Sequence, residues 1–217
     1  MEKVKRYIIF LIGLFINSLG VSLITKADLG TSPISSIPYV LSLNFPMTLG
    51  QFTIIFSILL IIIQLFILRK NFKAEHLLQI PISILFGYFI DLTMVLLGFV
   101  HPGAYGLKII YLLIGCVILG FGVYMEVLAN VAMLPGESFV RAVSTTWNTN
   151  FGNTKVAFDV SLTVIAAALS FLFVHRLEGV REGTIIAALL VGFTARLLGR
   201  YLAFLKPILF PSMPAFR

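Results

Sequence analysis

The chain has 217 residues, 59% of them hydrophobic and only 12% charged, with a formal charge of +7. Soluble domains are nearer half apolar and a quarter charged, so the composition excludes a soluble globular domain and specifies a membrane protein. The basic residues sit in loops rather than in one patch with interleaved aromatics, which argues against a nucleic-acid partner, and the one cysteine, Cys116, excludes intrachain disulfides and cysteine metal clusters.

Six apolar runs, in chain order Tyr7 to Ile24, Phe52 to Leu68, Leu77 to Phe99, Leu107 to Val127, Thr154 to Val174 and Thr184 to Leu205, are long enough to cross the bilayer. The criterion is about 30 Å of hydrocarbon at about 1.5 Å per residue. All six read as helices, because a closed barrel would show alternating strands separated by turns. The N-terminal Lys3-Val4-Lys5-Arg6 precedes its apolar run as in a signal peptide, but no A-x-A-like site follows near Lys26, so the first helix is expected to be retained.

Between the first and second runs, Asp28-Leu29-Gly30-Thr31-Ser32-Pro33 supplies a cap and a proline for a short helix over Pro33 to Leu43. At about 11 residues that helix is too short to span. It reads as a re-entrant or interfacial half-helix, the plainer alternative being an amphipathic surface helix. A second half-helix, Pro135 to Thr146, follows the fourth run and opens with Pro135-Gly136-Glu137. Free amides at such helix starts attract anions or carboxylates.

With the N-terminus in the cytoplasm, six crossings put Lys3, Lys5, Arg6, Arg69, Lys70, Lys73, Arg141, Lys155, Arg200, Lys206 and Arg217 on the cytoplasmic side. Lys26, Lys108, Arg176 and Arg181 fall outside, which is the positive-inside pattern of an inner-membrane protein.

Segment Ile8 to Gly50 also lies on Ile110 to Gly152 without a gap, at an offset of about 102 residues and with about a quarter of positions identical. Gly13 meets Gly115, Gly20-Val21 meets Gly122-Val123, Ala27 meets Ala129, Pro33 meets Pro135, Ser36 meets Ser138 and Gly50 meets Gly152. Three crossings plus a half-helix per copy is an odd number, so the second copy is expected upside down. The fold class is therefore an all-α membrane protein with six transmembrane helices, arranged as two inverted repeats of three, each with a half-helix. One domain, 1–217, holds repeat 1 over 7–100 and repeat 2 over 107–205. Duplicated membrane folds place their sites where the copies meet.

Several polar residues fall inside these runs. A shift of about three residues aligns Phe86-Gly87-Tyr88 with Val191-Gly192-Phe193 and sets Asp91 opposite Arg196. Each alone costs roughly 2.5 to 3.5 kcal/mol in hydrocarbon, so pairing across the pseudo-twofold axis is the simplest expectation. A static ion pair and a substrate or gating role remain alternatives. Glu126 and Asn130 share a helix face and lead into the second half-helix, where Glu137 and Arg141 are also four apart. These four line a vestibule on one reading, and Glu137 with Arg141 form an ordinary surface salt bridge on the other. Asn17 and Ser18 interrupt the first crossing, where bonding to a neighbouring helix is favoured slightly over substrate contact. Asp159 and Lys155 suggest a local pair near the cytoplasmic interface.

Candidate substrate-binding residues are thus Asn17, Asp28, Thr31, Ser32, Ser35, Asp91, Glu126, Asn130, Glu137, Ser138, Arg141 and Arg196. His76, His101 and His175 lack metal-ligand spacing, and no phosphate-binding loop, nucleophile elbow or dinucleotide fingerprint is present. No enzymatic activity, cofactor or metal is expected. Trp147, Tyr105 and Tyr201 fall at interfaces, where amphipathic rings anchor.

The stretch Gly13-Leu14-Phe15-Ile16-Asn17-Ser18-Leu19-Gly20-Val21, followed by Ala27-Asp28-Leu29-Gly30-Thr31-Ser32-Pro33, resembles the YczE/YyaS/YitT group of bacterial integral membrane proteins, YczE-like members in particular. The resemblance covers nearly the whole chain, and it implies a multi-pass bacterial membrane protein with a transport role of no settled substrate. The leading expectation is a secondary transporter of a small polar or anionic solute working by alternating access. The alternatives are a substrate-capture subunit of an energised complex and a non-transporting assembly or regulatory factor. The expected partners are the lipid bilayer, an unidentified small solute and, at about twenty-four kilodaltons, a second copy in a homodimer.

Overall fold

The computed structural model describes residues 2–72 and 74–202. They form eight α-helices: α1 (Glu2–Lys26), α2 (Pro33–Asn44), α3 (Leu49–Leu68), α4 (Gln79–Leu96), α5 (Tyr105–Ala129), α6 (Pro135–Thr146), α7 (Phe151–Val174) and α8 (Glu182–Tyr201). Two 3-10 turns, Arg69–Asn71 and Ala74–Leu78, join α3 to α4. Among the described residues there is no strand, and α1, α3, α4, α5, α7 and α8 account for the six segments long and apolar enough to cross a membrane. Lys73, Lys206 and Arg217 of the charge pattern, and the end of the sixth run at Leu205, lie outside the described residues.

Local chemistry sets the helix ends. Thr48 and Gln51 form a capping box at α3, the hydroxyl accepting from the Gln51 amide at 3.1 Å and the Gln51 side chain accepting from the Thr48 amide at 3.0 Å. Asn150 caps α7 by accepting from the Gly152 amide at 2.9 Å and the Asn153 amide at 3.3 Å. Helices α2 and α6 each carry proline in the first turn, where its missing N–H costs nothing, and neither has a side-chain cap. The residue Asn130 ends α5 in the left-handed conformation at φ 48°.

At the centre, α1 crosses α5 antiparallel, with small residues letting the backbones approach. A Cβ on Gly20 would lie 2.5 Å from the Leu119 nitrogen, and one on Gly122 would lie 2.5 Å from the Asn17 nitrogen. Alongside, α4 runs parallel to α1, with Ser22 bonded to Thr93 at 2.7 Å and Phe15 edge-on to Phe89. Helix α8 runs parallel to α5, Thr194 lying against Gly120 and the Leu202 carbonyl accepting from Tyr124 at 3.0 Å. Helices α3 and α4 are antiparallel, with Gly50 on Gly87 at one end and Gln64 beside Gln79 at the other. The short helices bridge these groups, α2 packing on α7 and α3, and α6 on α3 and α7.

One apolar cluster, including Phe10, Leu14, Ile24, Leu112 and Leu119, fills the α1, α4, α5 and α8 contact, and a second, including Ile37, Val40, Val140 and Leu162, lies under the short helices. The outward faces carry exposed Phe66, Tyr88, Val95, Val164, Leu172 and Leu189, which suits contact with lipid. Inside, every buried side-chain nitrogen and oxygen among the described residues has a hydrogen-bond partner.

Candidate functional site

The two half-helices meet at their N-terminal ends. A Cβ on Gly136 would sit 1.8 Å from Ile34 Cδ1, so the Ile34 side chain packs directly on the glycine. Around this junction lies a cavity of about 610 Å³, within the roughly 300–1,000 Å³ typical of small-molecule sites. The starts of both half-helices line it through Ser32 to Ser35 and Leu134 to Glu137. Asn17 and Val21 of α1, Leu119 and Val123 of α5, and Thr53 and Ser57 of α3 complete the inner wall. The remaining wall comes from Phe151 to Asp159 of α7 and Ala187 to Arg196 of α8.

Its polar groups are few and of both signs. Lys155 Nζ holds Asp159 Oδ1 at 2.5 Å and stands 5.9 Å over the Phe158 ring. The Glu137 carboxylate has no hydrogen bond or ion pair among the described residues. Burial pushes its pKa above the usual carboxylate range, the Lys155 ammonium pulls it back, and the Asp159 carboxylate adds to the rise. Ser32 donates to Ser35 at 3.1 Å, and Arg196 Nε donates to its own Gly192 carbonyl at 3.1 Å. Behind the wall, Asn17 Nδ2 donates to Glu126 Oε1 at 2.8 Å, the bond to a neighbouring helix favoured for Asn17.

A second cavity, about 760 Å³, is lined by Thr25, Asp28, Tyr39, Thr48, Leu49 and Asp91 among others. Between the two lies the contact of α3 with α4. Asp91 Oδ1 accepts from the Gly50 amide at 2.8 Å and Oδ2 accepts from the Thr48 hydroxyl at 2.7 Å, so the carboxylate ties the start of α3 to α4. An anion at a helix N-terminus is favoured by the exposed amides. A Cβ on Gly50 would meet the Gly87 carbonyl at 2.1 Å, so this layer is closed backbone to backbone.

Several expectations are corrected by this geometry. Asp91 and Arg196 do not pair: the carboxylate is spent on α3, the guanidinium bonds its own helix, and the two line different cavities. Glu137 and Arg141 form no salt bridge, and Arg141 Nη1 instead lies 3.5 Å from Met133 sulfur. Within the Asp28 to Pro33 segment Ser32 takes the N-cap position of α2, without a side-chain hydrogen bond to the helix, while Asp28 sits at φ 57° with its carboxylate on Lys108. Glu126 and Asn130 do not share a vestibule, since Glu126 is buried against α1 while Asn130 is an exposed helix terminus. The fully buried Thr31 is bonded to Thr25 at 2.9 Å, away from the cavity. Ser138 donates to Gln64 at 2.9 Å and accepts from Gln79 at 2.9 Å, fastening α6 to α3 and α4. Of the candidates, Asn17, Ser32, Ser35, Glu137 and Arg196 reach the cavity of about 610 Å³ between α7 and α8.

The sequence reading did not pick out Gln64 and Gln79, though two amides in apolar runs are a signal of buried partners. The helical spacing of Lys155 and Asp159 shows their pairing, which the structure holds at 2.5 Å, but only the packing of α6 on α7 reveals that they face Glu137.

The family of unknown function DUF6198 matches residues 4–200. A Bacillus subtilis (strain 168) protein described as uncharacterized membrane protein YczE is 31% identical over 201 residues, 90% of this chain and 86% of the relative. The uncharacterized protein YyaS of the same organism is 30% identical over 131 residues, 60% of this chain and 64% of that protein. No solved structure matches the chain.

Proposed function

The chain belongs to the DUF6198 family of YczE-like membrane proteins, and from that premise we propose that it is a secondary transporter of a small polar or anionic solute. Two inverted repeats, α1 to α4 and α5 to α8, move against each other around the central cavity. The antiparallel crossing of α1 and α5 supports the inversion, because equivalent helices must then point opposite ways.

The repeat offset also pairs the contacts at that crossing. Gly20 against Leu119 becomes Gly122 against Asn17, and a Cβ on either glycine meets the partner nitrogen at 2.5 Å. Likewise a Cβ on Gly13 would lie 3.1 Å from the Glu126 nitrogen, and one on Gly115 would lie 3.0 Å from the Ile24 nitrogen. Ile34 and Gly136, which touch, are themselves equivalent positions, so the half-helices meet where a twofold axis would pass. Short helices whose starts meet in the interior suit re-entrant segments better than surface caps.

The observation that carries the reading is where this symmetry fails. Gly50 and Gly87 are closed on each other, with Asp91 over the seam. Their equivalents, Gly152 and Gly192, are parted: a Cβ on Gly192 would meet nothing within 4 Å, and one on Gly152 only its own Asn150 cap at 3.2 Å. The cavity is thus sealed between α3 and α4 and open between α7 and α8, and exchanging the two arrangements would expose it to the other side. Under the positive-inside orientation the open mouth faces the cytoplasm.

The test is labelling of a Thr53→Cys variant, on the cavity side of the seal, by a membrane-impermeant maleimide in liposomes. A transporter that exchanges its gates reacts from both faces; a static assembly factor reacts from one only. A solute found by thermal shift against metabolite pools should then cross liposomes that contain this chain alone.

A further inference from the structure

Glu126 is the one carboxylate of the spanning helices whose only hydrogen-bond partner among the described residues is a neutral side chain. It is 5% exposed, on α5 and packed against α1. Asp91 holds a backbone amide and a hydroxyl at the start of α3, and Asp159 holds Lys155. Glu126 has the Asn17 amide at 2.8 Å and no cation within ion-pair distance among the described residues.

The charged neighbours do not change this. On α1 no titratable side chain lies between Tyr7, next to the Arg6 that pairs with Glu2, and Lys26 at the far end of the helix. From α6 the facing group is Glu137, another acid. From α8, Arg196 turns to Gly192 and lines the cavity, and Arg200 is exposed. A carboxylate ion in such surroundings is opposed by desolvation and by the neighbouring acid, and the bond donated by Asn17 Nδ2 is the one interaction that favours it.

Asn17 is also the wall of the cavity. The amide therefore stands between the buried carboxyl and the space between α7 and α8. At the repeat-equivalent place Leu119 and Ile24 occur, so the acid exists on one side of the pseudo-twofold axis only. A polar pair used merely to fix helix register would not require an ionisable member.

We propose that Glu126 is a reversible proton-binding site, loaded and unloaded through Asn17 from the cavity between α7 and α8. In the sealed surroundings the carboxyl keeps its proton. When water in the cavity reaches past Asn17, the O–H bond breaks, the electron pair stays on the carboxylate, and the proton passes to that water. The use of this proton as the coupling ion rests on the transport reading; the existence of the site does not.

The experiment is infrared spectroscopy of the purified full chain in lipid, comparing wild type with Glu126→Gln at neutral pH. Wild type should carry a carboxylic-acid C=O band that the variant has lost, and raising the pH should remove the same band from wild type. Should Glu126→Gln fail to fold, Glu126→Asp keeps an acid and should move the band instead. Asn17→Leu removes the hydrogen bond to the carboxyl and should move the pH at which the band disappears. Absence of the band in wild type, or its persistence unchanged in both Glu126 variants, overturns the proposal. A band that behaves as stated in a protein whose Thr53→Cys labels from one face only supports the proton site and refutes its use in transport.

Discussion

Gly50→Ala probes the seal directly. Its Cβ would enter the space 2.1 Å from the Gly87 carbonyl and 2.6 Å from the Asp91 carboxyl carbon, and neither backbone nor a bonded carboxylate yields cheaply. Overpacking of this kind costs about 1–3 kcal/mol. Residue 50 is helical in both arrangements, so the propensity gain of alanine cancels between them. The lower part of the overpacking range, about 1–2 kcal/mol against the sealed arrangement, corresponds to a roughly 5- to 30-fold shift in a two-state ratio. The equivalent change in the second repeat, Gly192→Ala, meets nothing within 4 Å and should leave the present arrangement within about 0.5 kcal/mol. The assay is the rate of maleimide labelling of Thr53→Cys from the outer face of liposomes, with Cys116 silent because it is fully buried. Gly50→Ala should raise that rate by roughly the same 5- to 30-fold, and Gly192→Ala should lower it by hindering closure of α7 on α8. Equal effects of the two substitutions, or none from Gly50→Ala, would refute the reasoning.

Asp91→Ala leaves the Gly50 amide and Thr48 hydroxyl without their acceptor and should cost about 1.5–3 kcal/mol in thermal unfolding, while the swap Asp91→Arg with Arg196→Asp should not restore stability because the two do not pair. Gly20→Ala and Gly122→Ala, each driven into backbone of the opposing helix, should both destabilise by about 1–3 kcal/mol, and by similar amounts. Glu137→Gln should stabilise the protein at neutral pH. The folded-state pKa is raised, so ionisation penalises folding as pH climbs from the ordinary value of about 4.3, and the advantage over wild type should vanish in more acidic solution. Lys108→Gln should change the melting temperature little, because the partner Asp28 is exposed and such pairs contribute about 0–1 kcal/mol.

How much of this was legible in the chain depended on range. Hydropathy marked all six long helices, and the prolines at 33 and 135 marked the short ones, because bilayer thickness and the lack of an N–H act locally. The glycines at 20 and 122 align in the sequence repeat, and the structure puts them in one crossing. Partnerships of polar groups were harder. Asp91 and Arg196 invite pairing as charge-reversed positions of the sequence repeat, yet they line different cavities, and the nearer amide of Gly50 takes the carboxylate instead. Glu137 and Arg141 have helical spacing for a salt bridge, but spacing says nothing of the cavity that Glu137 faces. Asn17 was readable as a buried donor, whereas its acceptor, about 109 residues away, became visible only through the α1 and α5 crossing.

The central claim is that the α3–α4 and α7–α8 contacts exchange. It is tested most directly by electron–electron distance measurements on spin labels at two exposed, lipid-facing pairs in liposomes, Leu59→Cys with Leu92→Cys, and Val160→Cys with Phe193→Cys. The account predicts two populations at each pair, with the short α3–α4 distance accompanying the long α7–α8 distance and the reverse, their ratio shifted by Gly50→Ala. A single unchanging distance at both pairs, with and without that substitution, would contradict it.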